Sequence, residues 1–262
     1  MDREALAALA SLPGFLADAA LPTAGDIVLG SDAAHHMRVR RVGVGQQVRV
    51  TDGVGRVARA AVVALGRASA VVAVEASHEV MALSPSVHLL APVADRERML
   101  WLAEKATELG VASWRAVGWR RSRSVSPRGE GEAFHQKVRA RMASALIQSG
   151  GAWLPRVEPD VALERAGGLP PGGAVLVLLD AAGDPLLDVL DSVAPGAEGL
   201  WVAVGPEGGV EDGERASLVA AGFRLASIGG SVLRFETAGV AALAALRAWY
   251  DARGSTGAAG RS

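Results

Sequence analysis

The sequence predicts an α/β protein in which a parallel sheet flanked by helices follows a small β-rich domain. Three observations carry this reading. Short apolar runs separated by Gly-rich turns fill residues 26–78. After about residue 80, longer apolar runs alternate with helical segments. The late runs at 174–180, 200–205 and 223–228 are almost continuously apolar, as strands covered on both faces must be. The 262-residue length fits two domains at roughly 100–200 residues each. The expected boundaries are an extension at 1–12, a β domain at 13–80, an α/β domain at 81–252 and a flexible tail at 253–262.

The elements follow in order. Ile27-Val28-Leu29, Gln47–Val50, Val57–Leu65 and Ala70–Val74 are strand candidates, punctuated by Gly43, Gly45, Asp52-Gly53, Gly55 and Gly66. That spacing suggests a small barrel. A helical turn near 31–41 carries His35, His36 and Arg38. Ser86–Ala91 reads as a buried strand. Asp95–Leu109 reads as a helix with Met99, Leu102, Ala103, Ala106 and Leu109 on one face and Gly110 as its stop. Val111–Trp119 is strand-like, 122–131 a polar loop and Glu132–Ser149 helical. Helices at about 185–193, 211–221 and 237–251 separate the late strands, with Thr237 as N-cap of the last. Trp101, Trp201 and Trp249 lie on apolar segments and are expected in the core.

Composition narrows the chemistry. Cysteine is absent, which excludes disulfides, zinc-thiolate sites, iron–sulfur clusters and thiol nucleophiles, and fits a reducing, cytoplasmic setting. No apolar run reaches the roughly 18 residues of a membrane span, and the start is acidic before it is apolar, unlike a secretory signal. The net charge of −1 conceals segregation. Residues 35–67 hold seven arginines against Asp52 alone, and 115–141 hold eight basic residues against Glu130 and Glu132. Residues 157–214 hold twelve acids against Arg165 alone. Basic clusters of this kind attract polyanions, and arginine matches phosphate bidentately and stacks on bases. His35 and His36, with no neighbouring carboxylate, are better suited to RNA contact or packing than to a metal; no metal site is expected.

Ligands of parallel sheets sit beyond the carboxyl ends of the strands. Three loops leave such ends: Asp180–Gly183, Gly205-Pro-Glu-Gly-Gly209 and Gly229-Gly-Ser-Val-Leu-Arg-Phe-Glu236. Two are Gly-rich, so backbone amides can approach a ligand closely. Glu207 stands where a dinucleotide fingerprint needs its second Gly, and no lysine follows Lys137 to complete a phosphate loop. A pyrophosphate cradle is disfavoured, and with it an α/β enzyme using a nucleotide such as NAD. A cationic or hydroxyl-bearing ligand suits Glu207 better.

Lys105-Ala-Thr-Glu-Leu-Gly-Val111, Arg123-Ser-Val125, Gln148-Ser149 with Pro155, Val204-Gly-Pro-Glu-Gly-Gly209 and Gly230-Ser-Val-Leu-Arg-Phe-Glu-Thr-Ala238 resemble the RsmE family. These are SPOUT-class methyltransferases acting on uridine N3 of 16S ribosomal RNA. His35-His-Met-Arg-Val-Arg-Arg41 and Asp52-Gly53 resemble that family's PUA-like amino-terminal β-barrel domain, and the match runs in order from about residue 13 to 250. The resemblance implies S-adenosyl-L-methionine as cofactor, a homodimer, a trefoil knot in the carboxyl-terminal domain and the small ribosomal subunit as setting. It places the cofactor on Leu179, Gly205, Glu207, Gly208, Ile228, Gly229, Val232 and Leu233. RNA contacts are expected from His35, Arg38, Arg41, Arg120, Arg121 and Arg123. For catalysis, Arg234 is expected to stabilise the charge that develops on the uracil carbonyls, with Arg123 as the second choice. A salt bridge from Arg234 to Glu236 or Glu207 is the competing reading. Three departures from the family pattern are Ser231, Phe235 and Gly151. A backbone-mediated cofactor site tolerates them, whereas the target base depends on substrate contacts that they touch. A catalytically weakened RNA-binding paralogue of the same fold is therefore the alternative function.

Overall fold

The computed structural model describes residues 8–124, 127–192, 197 and 199–258. The chain forms two compact units, Met1–Leu83 with Met142–Leu154, and Ser84–Arg141 with Pro155–Ser262. The division falls near the expected residue 80, but it also assigns 142–154, read from sequence as part of the second domain, to the first unit.

In the first unit, β1 (Gly14–Leu16), β2 (Gly25–Leu29), β3 (Gln47–Thr51), β4 (Arg56–Leu65) and β5 (Ala70–Glu79) form one sheet in the order β1-β3-β4-β5-β2. Every neighbouring pair is antiparallel except β1 and β3. Phe15, Leu29, Val48, Val50, Val62 and Val72 fill its core together with Met37 from α1 (Ser31–Val39). Arg49 is 2% exposed and its guanidinium donates to the Ile147 carbonyl. Only glycine leaves it room: a Cβ at Gly14 would sit 2.6 Å from Nη2, and one at Gly150 2.7 Å from Nη1. Burial, then the charge of Arg40, pushes the Arg49 pKa down. The Trp153 ring lies over Gly55, where a Cβ would come within 2.4 Å of it, and its Nε1–H donates to the Val80 carbonyl at 2.8 Å.

The second unit is a six-stranded sheet ordered β11-β9-β10-β6-β7-β8, parallel throughout. Its strands are β6 (Val87–Pro92), β7 (Ser113–Gly118), β8 (Arg156–Ala162), β9 (Val175–Pro185), β10 (Leu200–Val204) and β11 (Arg224–Ser227). The helices are α2 (Arg96–Glu108), α3 (Glu132–Ser149, whose last residues belong to the first unit), α4 (Leu163–Ala166), α5 (Leu186–Asp191), α6 (Asp212–Ala220) and α7 (Phe235–Ala258). No helix among the described residues is long and apolar enough to cross a membrane. The central strands are apolar because both of their faces are covered: Val177, Leu178, Val202 and Ala203 are at most 1% exposed.

Helix α2 starts where the Asp95 carboxylate accepts from the Arg98 amide at 3.1 Å, and it stops at Gly110, whose φ is +69°. It packs on α7 through Gly239, where a Cβ would lie 2.9 Å from Leu102 Cδ1. Half-buried Arg247 of α7 closes the end of α2, donating to the Leu109 carbonyl at 3.0 Å and to that of Gly110. His135 is buried against Asp160 at 2.6 Å, and the other Asp160 oxygen accepts from the Gly131 amide at 2.8 Å, which ties the start of α3 to β8.

Several elements differ from expectation. Helix α7 begins at Phe235, so Thr237 lies inside its first turn rather than capping it. It continues to Ala258, which makes part of the expected tail helical; residues 259–262 lie outside the described residues, as do 1–7 of the expected extension. Trp101 is 42% exposed rather than core. It sits off the α2 face that carries Met99, Leu102, Ala103 and Ala106. Trp249 is half-buried, with its Nε1–H on Asp191 at 2.7 Å and Arg253 stacked 4.0 Å from the ring.

Gly183 lies against the backbone of a neighbouring strand. A Cβ there would lie 2.4 Å from the Leu225 carbonyl carbon and 2.5 Å from the Ala226 nitrogen, both of them backbone atoms of β11. Gly183→Ala is expected to destabilise the fold by about 1–3 kcal/mol. Gly213→Ala, in an open position of α6, is expected to be neutral or to stabilise by about 0.5–1 kcal/mol. Urea unfolding of the two variants checks the contrast.

Candidate active site

The three segments converge. Because β9, β10 and β11 run parallel and side by side in the order β11-β9-β10, their carboxyl ends open on the same edge. The loops that leave β10 and β11, with Leu179, Asp180 and Ala181 within the extended β9, line one cavity of about 280 Å³, so the expected first loop is part of strand β9. Leu179, Val204, Ala226, Ile228, Val232 and Leu233 give it apolar walls, and Asp180 and Glu207 bring carboxylates. Gly209 and Gly229 turn with φ of +79° and +69°, a region that favours glycine.

Of the residues expected around the cofactor, Leu179, Gly205, Glu207, Ile228, Gly229, Val232 and Leu233 line this cavity. Gly208 does not; it anchors the loop from behind. Its carbonyl accepts from Arg121 Nη1 at 2.7 Å, and a Cβ there would come 3.0 Å from Arg121 Cβ. Ser231 and Phe235 also line the cavity, Phe235 as a buried side chain.

Sequence reasoning missed two basic residues at this site. Arg215 of α6 lines the cavity, and its Nε donates to Asp180 at 2.8 Å while Nη1 donates to Asp212 at 2.6 Å. Arg98 of α2 pairs with Glu207. The Asp212–Arg215 spacing was a helical i,i+3 signal. Nothing local in the sequence connects Arg98 with Glu207. Burial opposes ionisation of Asp180, but hydrogen bonds from the Ala182 amide and Arg215 outweigh it, and its pKa lies below the ordinary value. The Asp180 hydrogen bond in turn raises the Arg215 pKa.

Arg234 is exposed at the end of the third loop, between the cavity residues Leu233 and Phe235. Among the described residues its guanidinium has no hydrogen bond or ion pair. The competing bridge to Glu207 or Glu236 is not formed; Arg98 is the cation nearest to both carboxylates. Arg120 and Arg121 lie on a 3-10 turn at Arg120–Ser124, 3.5 and 3.6 Å from Glu211, and the Arg120 amide donates to Glu214 at 2.8 Å. The side chain of Arg123 lies outside the described residues. His35, Arg38 and Arg41 are exposed on the first unit, with Arg41 in the left-handed region at φ +57° and Arg38 donating to the Gly66 carbonyl at 2.5 Å.

Comparison with known proteins decides the family. Residues 82–247 match the RNA methyltransferase domain, and residues 29–75 match the RNA methyltransferase PUA domain. Proteins named Ribosomal RNA small subunit methyltransferase E from Mycobacterium bovis and Mycobacterium tuberculosis are each 33% identical over 236 residues, covering 86% of this chain and 88% of theirs. The chain belongs to the RsmE family of RNA methyltransferases. Its first unit contains the PUA-like domain expected of the family, and its second is the expected α/β domain with a parallel sheet flanked by helices. The same fold occurs in the Neisseria gonorrhoeae Ribosomal RNA small subunit methyltransferase E, crystallised bound to S-adenosyl methionine, with a TM-score of 0.81 at 24% identity over 90% of this chain and 97% of that one. A probable rRNA-methyltransferase from Porphyromonas gingivalis matches with a TM-score of 0.73 at 27% identity over 91% and 98%. Gly151, which departs from the family pattern, is accommodated by packing in the first unit: a Cβ there would meet Leu146 Cδ1 at 2.6 Å.

The depressed Asp180 pKa carries a pH signature. Its contribution to stability is complete above the unfolded pKa of about 3.9 and is lost as pH falls through the lower folded value. Asp180→Asn is expected to lower the Tm at neutral pH and to flatten the fall in Tm below about pH 4. Thermal unfolding across pH 2.5–7 checks this; a curve parallel to that of the unaltered protein would contradict it.

Proposed function

We propose that this protein transfers the methyl group of S-adenosylmethionine to N3 of a uridine in the decoding region of 16S ribosomal RNA. The observation that carries the reading is the cavity lined by the second and third loops and by Leu179, Asp180 and Ala181 of β9. It is apolar enough for an adenine, carries two carboxylates, and among its described lining residues holds one arginine, already paired with Asp180 and Asp212. That balance suits a cationic nucleoside and disfavours a pyrophosphate. Membership of an RNA methyltransferase family, and relatives named for ribosomal RNA of the small subunit, support the same reading.

When bound, the cofactor supplies an electrophilic methyl on a positively charged sulfur. The task of the chain is then to hold the uridine in line with that methyl and to make its N3 nucleophilic. N3 must give up its proton to solvent, which spreads negative charge over the flanking O2 and O4 carbonyls. That charge is taken up as N3 bonds to the methyl carbon while the carbon–sulfur bond breaks and its electron pair stays on the sulfur, which becomes neutral. The guanidinium of Arg234, without a partner among the described residues and beside the cavity mouth, donates to one of those carbonyls, with Arg123 of the basic turn as the second candidate. The target must be unpaired or flipped, since N3 faces the partner base in a duplex. His35, Arg38 and Arg41 of the PUA-like unit, with Arg120 and Arg121, contribute phosphate contacts that position the RNA. The proposal includes a homodimer, a trefoil-knotted carboxyl-terminal unit and action in the cytoplasm on the small subunit.

Mass analysis of 16S ribosomal RNA nucleosides from a strain lacking the protein is expected to show the loss of one 3-methyluridine. Complementation with Arg234→Ala is expected to leave methyl transfer down by about 10²–10³-fold while cofactor binding stays normal. An unchanged nucleoside profile in the deletion strain would favour an RNA-binding protein without this catalysis. Full activity of Arg234→Ala would remove that residue from the mechanism.

A further inference from the structure

Helix α2 contributes no residue to the lining of the cavity, yet one of its side chains reaches both Gly-rich loops. Arg98 sits in the first turn of α2, where the Asp95 carboxylate holds its amide at 3.1 Å and so fixes the backbone from which the guanidinium projects. Its Nη1 pairs with Oε1 of Glu207, the carboxylate of the second loop that lines the cavity. Its Nε lies 4.0 Å from Oε1 of Glu236, in the first turn of α7 directly after the third loop. Glu236 is only 9% exposed, and among the described residues its Oε2 has no hydrogen-bond partner. A carboxylate buried so incompletely satisfied depends on a neighbouring cation. Arg98 is that cation, and it is shared by two acids.

We propose that Arg98 is a positioning residue for the cofactor cradle. Through Glu207 and Glu236 it ties loop 205–209 to the end of loop 229–236 and fixes the width of the cavity between them. Glu207 held in this way is a strut rather than the acceptor of the uridine proton. One positive charge against two negative charges also leaves the cavity edge net anionic, which favours a cationic ligand over an anionic one. The identity of that ligand rests on the cofactor reading above; the tie between the loops does not.

Hydrogen–deuterium exchange on the full-length protein without ligand tests the tie, with variants Arg98→Met, Arg98→Lys, Glu207→Gln and Glu236→Gln. In Arg98→Met, amides of both loops are expected to exchange at least about tenfold faster while strands β6, β9 and β10 keep their protection. Glu207→Gln is expected to loosen the second loop alone and Glu236→Gln the third alone. Arg98→Lys is expected to restore part of the protection. In steady-state assays, Arg98→Met is expected to raise KM for S-adenosylmethionine about tenfold or more with kcat at saturation within about threefold. The proposal is overturned if both loops exchange as in the unaltered protein. It is equally overturned if Arg98→Met loosens the whole unit uniformly while neither glutamine variant changes its own loop. If the loops respond as expected but the unaltered protein has no affinity for S-adenosylmethionine, the cofactor reading fails and the tie stands.

Discussion

The site depends on a constraint of burial. The first half of β9 and all of β10 are covered on both faces, which suits them to the interior of a parallel sheet. Parallel strands must be joined by crossovers, and the segment after each strand leaves the same edge. The order β11-β9-β10 then forces the loops after β10 and β11 and the Leu179–Ala181 stretch of β9, distant in sequence, to share one volume. No special affinity between the loops is needed to bring them together. The apolar content of the strands does it.

Within that frame, charge does the finer work. Asp180 is held by Arg215, Glu207 by Arg98, and Glu211 lies within reach of Arg120 and Arg121. Each pair joins a segment at the carboxyl edge to a neighbouring helix or turn. The segregated charge of the sequence thus has two uses. Some arginines of the 115–141 cluster are spent on the acidic start of α6, and others, with Arg38 and Arg41 of the first unit, remain exposed. Arg234 is distinct because its guanidinium has no partner among the described residues and it stands beside the cavity.

The fold was largely legible because most of its strands are either apolar runs or Gly-bounded hairpins. Where it was not legible, local physics explains the failure. Strand β1 is three residues long, too short to show a period. Strand β8 carries Pro159 among charged residues, which the sheet tolerates because β8 is an edge strand. Strand β9 runs past Asp180 to Pro185, where Gly183 lets it pass against the backbone of β11. The loops of the site were legible through their glycines. Their tethers were not, because Arg98 and Arg215 find partners on distant segments that only the folded sheet places nearby. Trp101 shows the limit of reading an apolar segment without its face: the residues around it are buried and it is not.

The central claim is that backbone amides of the second and third loops cradle a sulfonium nucleoside. Isothermal titration of S-adenosylmethionine into the unaltered protein and into Gly229→Val tests it directly. Residue 229 has φ +69° and open space around a Cβ, so valine there strains the loop without disturbing the core. The account predicts saturable binding to the unaltered protein and at least about tenfold weaker binding to the variant, a difference of about 1.4 kcal/mol. No binding to the unaltered protein, or equal binding to both, would contradict it.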